Sequence, residues 1–174
     1  PYSYKSPRDI FETNVTGTLN VLTSCVENKI RKIVHTSTSE VYGTPNKVPI
    51  KETNIPIGQS PSAASKIAAD KIAESFYLSY NLPIAIIRPF NTFGPRQSAR
   101  AIIPNIISQI VFNNKLRIGS DFTTRDFTYI SDTVEGYLKI LESDKSTGEV
   151  INIGTGTEIS IKEFLESAVD FFSR

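Results

Sequence analysis

The sequence predicts an α/β protein with a doubly wound, mainly parallel sheet. Short apolar segments rich in β-branched residues alternate with longer segments whose apolar residues recur every three or four positions. Strands that alternate with helices imply crossover connections, and these place helices against a parallel sheet. With 174 residues, the chain is long enough to bury one sizeable core.

Each element follows from local signals along the chain. Ser6-Pro7 is typical of a helix start, and glycines and prolines between residues 40 and 61 indicate a loop. We expect helices over 7–29, 62–80, 102–112, from a Ser131-Asp132 cap to 143, and over 161–172 after a Ser160/Glu163 capping box. We expect strands over 32–36, 83–87, 116–119, 127–130 and 150–153.

Composition argues against several functional classes. The 19 Lys and Arg residues nearly balance the 18 Asp and Glu residues, and no charge run stands out, so we expect no nucleic-acid partner. No apolar run approaches the roughly 20 residues of a membrane span, so we expect no membrane partner. The single cysteine, Cys25, cannot form an internal disulfide. These features favour a reducing, cytoplasmic location.

Candidate functional residues follow the predicted strands, because parallel α/β sheets bind ligands at the carboxyl ends of their strands. Three segments occupy such positions, namely 36–40, 88–97 and 154–156. The segment from Thr36 to Gly43 carries several hydroxyls and the Glu40 carboxylate. Those groups can bind a substrate oxygen and remove a proton next to a carbonyl. The same segment is also compatible with a loop that satisfies its own backbone.

Three further segments carry polar side chains in patterns that suit binding. Ser62 and Lys66 are one helical turn apart and therefore share a face. Asn91 offers donors and acceptors in a loop shaped by proline and glycine, and Arg125 can fork onto a phosphate. A solvated lysine, a structural loop and a surface ion pair are the respective alternatives. His35, inside an apolar strand, is typical of a packed core histidine.

Taken together, these motifs resemble the NAD-dependent epimerase/dehydratase family, the extended short-chain dehydrogenases that act on nucleotide sugars. The motifs that carry the resemblance are residues 14–20, 36–43, 60–70, 88–97 and 119–132. The resemblance implies a Rossmann-like fold in two parts. Residues 1–95 would be the C-terminal part of the NAD-binding domain. Residues 96–174 would be substrate-binding segments of a smaller domain, interleaved with the last strands.

The resemblance also implies NAD as the cofactor and a nucleotide sugar as the substrate. The implied catalytic residues are Thr38, Ser39, Glu40, Ser62 and Lys66. The implied cofactor-binding residues are Asn14, Thr36, Ser37, Lys66, Pro89 and Asn91. The implied substrate-binding residues are Asn91, Arg96, Ile103 and Arg125. A homodimer formed through helices 7–29 and 62–80 is a further implication of the family.

Within the family, Thr38-Ser39-Glu40 indicates a nucleotide-sugar 4,6-dehydratase, because epimerases usually lack the glutamate. Residues 94–104 most resemble the dehydratases that act on nucleotide-linked N-acetylglucosamine. Related decarboxylases also carry the glutamate. The alternatives are therefore a UDP-glucuronate decarboxylase, a 4-epimerase of the same family, or a non-catalytic nucleotide-sugar-binding relative.

The sequence departs from the family pattern at three places. The glycine-rich phosphate loop is absent, and Gly154-Thr155-Gly156 stands elsewhere in the order of motifs. Because the sequence also starts at Pro1 and lacks methionine, we expect a segment without the N-terminal dinucleotide-binding unit. Ser62 stands where the family has the tyrosine of its Tyr-x-x-x-Lys motif, and Asp121-Phe122-Thr123 differs from the usual residues before the motif arginine. We expect Ser62 to impair catalysis.

The order of strands leads to one geometric expectation. Glu40 and Ser62 should lie on one side of a cleft at the carboxyl ends of the strands, and Thr38 and Asn91 should face the same space.

Overall fold

The computed structural model describes residues 2–112, 117, 119 and 123–172. The α-helices are α1 (Tyr2–Lys5), α2 (Pro7–Phe11), α3 (Gly17–Glu27), α4 (Pro61–Tyr80), α5 (Ile102–Phe112), α6 (Ile130–Glu142) and α7 (Ile161–Phe172). The strands are β1 (Ile33–Thr36), β2 (Ile84–Pro89), β3 (Asn91–Phe93), β4 (Thr124–Arg125), β5 (Phe127–Tyr129), β6 (Val150–Ile153) and β7 (Ile159–Ser160). A π-helical turn (Glu12–Thr16) joins α2 to α3.

The central sheet is parallel throughout, with the strand order β1-β2-β6. Ile33 lies opposite Ile84, and Ile86 lies opposite Val150. Parallel neighbours require crossover connections, which the intervening helices supply. The predicted α/β class with a parallel sheet is confirmed.

Strand β2 separates two apolar cores. Ile84 and Ile86 pack against α3 and α4, whereas Ala85 and Ile87 pack against α6. Successive side chains of a strand point to opposite faces, so each core receives every second residue. A run without polar alternation is typical of a strand that is covered on both faces. The sheet is therefore doubly wound, as predicted.

Two small sheets extend the fold beyond β2. Strand β3 pairs with β5 in parallel, and β4 pairs with β7 in antiparallel fashion. The backbone N–H of Phe90 still donates to Ile153 at the end of β6 (2.8 Å), whereas that of Asn91 donates to Asp126 (3.0 Å). The chain thus leaves the central sheet and enters the β3–β5 pair within two residues.

The predicted capping box is confirmed. The backbone N–H of Glu163 donates to the Ser160 hydroxyl (3.1 Å), and the Glu163 carboxylate accepts from the backbone N–H of Ser160 (2.8 Å). This reciprocal pair satisfies two donors at the start of α7. Helix α5 and strand β6 also have the predicted bounds.

Other boundaries differ from the prediction. The expected helix over 7–29 is interrupted by the π-helical turn and ends at Glu27, and α1 precedes it. Helix α6 begins at Ile130, and the Ser131 hydroxyl donates to the Asp132 side chain instead of capping the helix. The predicted loop over 40–61 opens with a 3-10 turn, Ser39–Tyr42.

Strands β3, β4 and β7 were not predicted, because two- and three-residue segments carry too little periodicity to be recognised. The strand predicted over 116–119 lies outside the described residues. In the part of the chain that is described, no helix combines the length and the apolarity needed to cross a bilayer.

The central position of β2 gives a stability prediction. Ile87 is fully buried between two strands and α6, so Ile87→Ala should lower the free energy of unfolding by about 2–5 kcal/mol. Ile55 is 81% exposed, and Ile55→Ala should change it by less than about 0.5 kcal/mol. Urea denaturation followed by circular dichroism measures both. Equal effects of the two substitutions would contradict the central placement of β2.

Candidate functional site

Helix α4 brings Lys66 to the carboxyl end of β1. The helix starts where the Ser60 hydroxyl accepts from the backbone N–H of Ala63 (3.1 Å), with Pro61 in the first turn. Ser62 therefore lies in that first turn, one turn before Lys66. The Lys66 ammonium donates to the backbone carbonyl of Thr36 (2.9 Å). The ammonium of the predicted catalytic helix thus lies beside the strand end.

The segment after β1 forms a tight turn that presents Glu40. Thr38 is extended, and its hydroxyl accepts from the backbone N–H of Glu40 (3.2 Å), which opens the 3-10 turn. Val41 and Tyr42 are buried and the turn packs against α4, whereas Glu40 is exposed. The buried pair anchors the turn, and the carboxylate is left free to meet a ligand.

A buried polar network lies under this strand end. The Asp70 carboxylate accepts from the Ser37 hydroxyl (2.8 Å) and from Arg88 through Nε (3.2 Å) and Nη2 (2.9 Å). Arg88 also donates to the Tyr42 hydroxyl (2.9 Å) and lies 4.9 Å from the centre of that ring. His35 Nε2 is 3.3 Å from Asp70 Oδ1, although the alignment is not that of a hydrogen bond. The network ties β1, β2, α4 and the 3-10 turn together.

The network determines the charge state of Asp70. Burial alone would raise the pKa of the Asp70 carboxyl, but His35, Arg88 and Ser37 outweigh it and hold that pKa below its ordinary value. Burial would likewise lower the pKa of Arg88, and the contacts with Tyr42 and Asp70 raise it instead. Asp70 and Arg88 therefore form a buried, ionised pair.

Two outer contacts hold the elements around this strand end, one on α4 and one on the end of β1. The Asn14 amide donates to the Ser65 hydroxyl (2.9 Å), which donates to the carbonyl of Ser62 (2.8 Å). On the α6 side, the Tyr137 hydroxyl donates to the hydroxyl of Thr36 (3.1 Å). The side chains of Asn14 and Ser37 are engaged within the protein, so contact of either residue with a cofactor stays a prediction.

The other predicted residues lie on different elements. Pro89 ends β2 opposite Ile153, and half-buried Asn91 begins β3. The exposed residues of this group are Arg96, in a left-handed conformation (φ 67°), and Arg125, which donates to the carbonyl of Thr124 (2.7 Å). Ile103 is buried in α5. Among the residues that the structure describes, no hydrogen bond joins this group to Glu40 or Lys66. The structure joins segment 36–40 to segment 62–66 through Lys66 and Thr36, and it joins Asn14 to the second segment through Ser65.

Sequence reasoning missed Asp70, Arg88 and Tyr42. A usable signal was present, because an arginine ending an apolar strand and an aspartate among helical alanines are rarely buried unless they pair. His35 was predicted to be a packed core histidine. Its side chain is only 10% exposed, but it faces Asp70 rather than only apolar side chains.

The buried pair gives a pH-dependent prediction. Asp70→Asn leaves Arg88 unpaired and should destabilise the fold by about 3–5 kcal/mol near neutral pH. Because the pKa of Asp70 is lower in the folded chain than its unfolded value of about 3.9, its contribution is present above about pH 4. That contribution is lost as the pH falls through the folded pKa. The difference between wild type and variant should therefore shrink in acid.

Glu74→Gln is the matched control, since Glu74 is an exposed acid on the same helix. Its effect should stay below about 1 kcal/mol. Urea denaturation at pH 7 and pH 3 measures all three proteins, and a deficit of Asp70→Asn that is equal at both values would contradict an ionised Asp70.

The comparisons with known proteins agree with the motifs. The family profile described as "GDP-mannose 4,6 dehydratase" matches residues 1–173. Human dTDP-D-glucose 4,6-dehydratase is 35% identical over 157 residues, which cover 90% of this chain and 45% of the human protein. UDP-glucuronic acid decarboxylase 6 of Arabidopsis thaliana is 37% identical over 176 residues, which cover 96% and 50%.

A solved structure shows the same fold. The DesIV double mutant of Streptomyces venezuelae, a dTDP-glucose 4,6-dehydratase with NAD and DAU bound, has a TM-score of 0.92 at 28% identity. The likeness covers 99% of this chain and 53% of that one. The chain thus spans about half the length of these relatives. It belongs to the GDP-mannose 4,6-dehydratase family, among the NAD-dependent nucleotide-sugar dehydratases and epimerases that its motifs resemble.

Proposed function

We propose that this chain provides the catalytic strand end of a nucleotide-sugar 4,6-dehydratase. The observation that carries the proposal is the hydrogen bond from Lys66 to the carbonyl of Thr36. It holds an ammonium group at the strand end from which Thr38, Ser39 and Glu40 continue. A cation, a hydroxyl and an exposed carboxylate at one strand end suit proton transfers on a sugar.

The donors at this strand end fit the nicotinamide half of NAD. A lysine ammonium carries three N–H donors, and Lys66 uses one of them on Thr36. Two remain for neighbouring ribose hydroxyls. Thr36 is exposed beside it, and Pro89 and Asn91 follow the end of β2. When bound, NAD supplies a site that accepts a hydride from the sugar and returns it.

The residues of the turn suit the proton transfers of dehydration. The Thr38 hydroxyl accepts from Glu40 N, which leaves its own hydrogen free to donate to the sugar O4. Once C4 is a ketone, the neighbouring C5–H is acidic. The Glu40 carboxylate would take that proton, and water would leave C6.

Ser62 is the weak point of this arrangement. A tyrosine at this position would stand near the Lys66 ammonium and the N-terminal end of α4, and both favour its phenolate. A phenol has a pKa of about 10, whereas a serine hydroxyl is a much weaker acid and reaches less far. The proposal therefore includes impaired turnover by the chain as it stands.

The proposal assigns substrate binding to the second group of residues. The exposed guanidinium groups of Arg96 and Arg125 suit a diphosphate, Asn91 suits a sugar hydroxyl, and Ile103 helps to shape the site from α5. We retain residues 1–95 as part of the NAD-binding domain and residues 96–174 as the interleaved substrate-binding segments. A reducing, cytoplasmic location stays part of the proposal.

We also propose a homodimer through the two predicted helices. Leu19 and Val21 on α3 and Leu78 and Tyr80 on α4 are exposed. Burying such side chains against a second copy would be favourable.

Position 62 offers a direct test. In the product of the complete reading frame, Ser62→Tyr should raise the formation of a 4-keto sugar by about 10²–10⁴-fold, because it supplies the missing acid–base group. Absorbance of the 4-keto product in alkali, with dTDP-glucose and UDP-N-acetylglucosamine as substrates, measures it. Ser62→Phe, which lacks the hydroxyl, is the matched control. If Ser62→Tyr is as inactive as Ser62→Phe, the non-catalytic alternative is favoured.

Glu40 separates the reaction types. In the Ser62→Tyr protein, adding Glu40→Gln should abolish water loss while oxidation at C4 persists, because the amide cannot accept the C5 proton. Mass spectrometry detects the loss of 18 Da that accompanies dehydration. Unchanged dehydration would contradict the role of Glu40. Release of carbon dioxide from UDP-glucuronate, or inversion at C4 alone, would favour a decarboxylase or an epimerase.

The chain should bind NAD weakly. Its sequence has no glycine-rich loop between a strand and a helix start, and such a loop holds the pyrophosphate in dinucleotide-binding folds. Isothermal titration of the 174-residue chain with NAD should detect at most weak binding, and Lys66→Ala should remove it. Micromolar or tighter affinity would contradict this prediction.

A further inference from the structure

The carboxylate of Asp126 is held by the loop that follows β6. Its Oδ1 accepts from the backbone N–H (2.9 Å) and the hydroxyl (2.8 Å) of Thr155, and its Oδ2 accepts from the backbone N–H of Gly156 (2.8 Å). Successive backbone N–H groups that converge on an anion form a nest. Here the anion is a side chain of the same protein.

The two glycines of this loop are required by the contact. A Cβ on Gly154 would lie 2.7 Å from Asp126 Oδ2 and 3.2 Å from the Phe90 ring. Gly156 has φ +77°, which side chains disfavour. The Gly154-Thr155-Gly156 motif therefore serves an internal carboxylate, which explains glycines outside any phosphate loop.

Asp126 also lies where the chain changes sheets. Its carbonyl accepts from the backbone N–H of Asn91 (3.0 Å), one residue after Phe90 pairs with Ile153 at the end of β6. Its carboxylate accepts hydrogen bonds from Thr155 and Gly156, which follow Ile153. The backbone of Asp126 thus holds Asn91, its side chain holds the end of the central sheet, and Arg125 precedes it directly.

We propose that Asp126 is a positioning residue that fixes Asn91 and Arg125 relative to the central sheet and thereby sets the affinity for the nucleoside diphosphate group of the substrate. This inference rests on the proposed function for the two binding residues. Asp126 itself is not a ligand contact in this arrangement, because both of its oxygens are occupied by the loop.

The exposure of residues 154–156 predicts how loss of the Asp126 carboxylate affects stability and how it affects nucleotide affinity. The N–H groups of Thr155 and Gly156 belong to exposed residues, so water can replace the carboxylate at little cost in stability. Water cannot compensate in the same way for misplaced Asn91 and Arg125 side chains, because binding depends on their geometry. Loss of the carboxylate should therefore lower affinity much more than thermal stability.

The test compares variants of the loop and its carboxylate. Asp126→Ala and Gly154→Ala should each weaken the binding of UDP and of dTDP by about tenfold or more, with Tm within about 4 °C of wild type. Asp126→Asn, which keeps the size but loses the charge, should be intermediate. Glu158→Gln removes the charge of an exposed carboxylate two residues beyond the loop. It should leave affinity unchanged, because the amide oxygen can still accept from the Thr124 hydroxyl, as the carboxylate does (2.9 Å). Isothermal titration and thermal denaturation measure these effects.

Formate supplies a readout that a merely structural role would not move. It should occupy the nest of Asp126→Ala and restore affinity at least partly, whereas chloride at the same ionic strength should not. In NMR spectra without nucleotide, the signals of the Asn91 backbone amide and the Arg125 Nε–H should shift in Asp126→Ala and return with formate.

These arms separate the two proposals. If wild type binds neither UDP nor dTDP, the binding role of this chain is wrong, while the NMR arm still tests the positioning role. Unmoved Asn91 and Arg125 signals would overturn the inference whatever the affinities. Equal losses in Asp126→Asn and Glu158→Gln would also overturn it, because they would indicate a general effect of charge. If Asp126→Ala fails to fold, Asp126→Asn carries the same comparisons.

Discussion

The ion pair between Asp70 and Arg88 is the interaction on which the candidate site depends. Arg88 has the same parity on β2 as Ile84 and Ile86, so its side chain must lie on the α4 side of the sheet. It is buried there, and Asp70 is the carboxylate that neutralises it. A buried pair of this kind adds little beyond an apolar core, but removing either partner is costly. It therefore restricts how α4 can sit on the sheet.

The Asp70–Arg88 pair also positions residues nearer the start of α4, because of the helical repeat. Ser62, Lys66 and Asp70 are spaced four residues apart, so they lie along one face of α4. Asp70 is anchored at the bottom of that face, Lys66 reaches the carbonyl of Thr36, and Ser62 lies in the first turn. The Asp70–Arg88 pair thus fixes the rotation of α4 and its position along the sheet, and with them the positions of Lys66 and Ser62. The position of the half-buried Lys66 therefore depends on a charge pair one turn further along the helix.

The sequence predicted the elements whose signals are repeated over many residues. Alternation of apolar strands with amphipathic helices was sufficient for the parallel sheet, and Ser160 with Glu163 was sufficient for the start of α7. The π-helical turn after Phe11 could not be predicted, because it differs from an α-helix in backbone pairing, which the spacing of apolar residues does not reveal. The short strand at Asn91 could not be predicted, because it depends on pairing with β5. The motif order implied that Lys66 and Thr36 belong to one site, whereas the hydrogen bond between them and the partners of Arg88 and Asp126 required the folded chain.

The double covering of β2 also bears on how this chain tolerates change in its length. Adding or deleting one residue within β2 would exchange the side chains of its two faces. The isoleucines of one core would enter the other, and the guanidinium of Arg88 would be carried to the α6 side, away from Asp70. The long connection between Tyr42 and Ser60 has no such parity. Its Ile50 and Glu52 accept hydrogen bonds from Asn152, and residues added away from these contacts cost mainly loop entropy. Variation in length should therefore accumulate in that connection and be excluded from the six residues of β2.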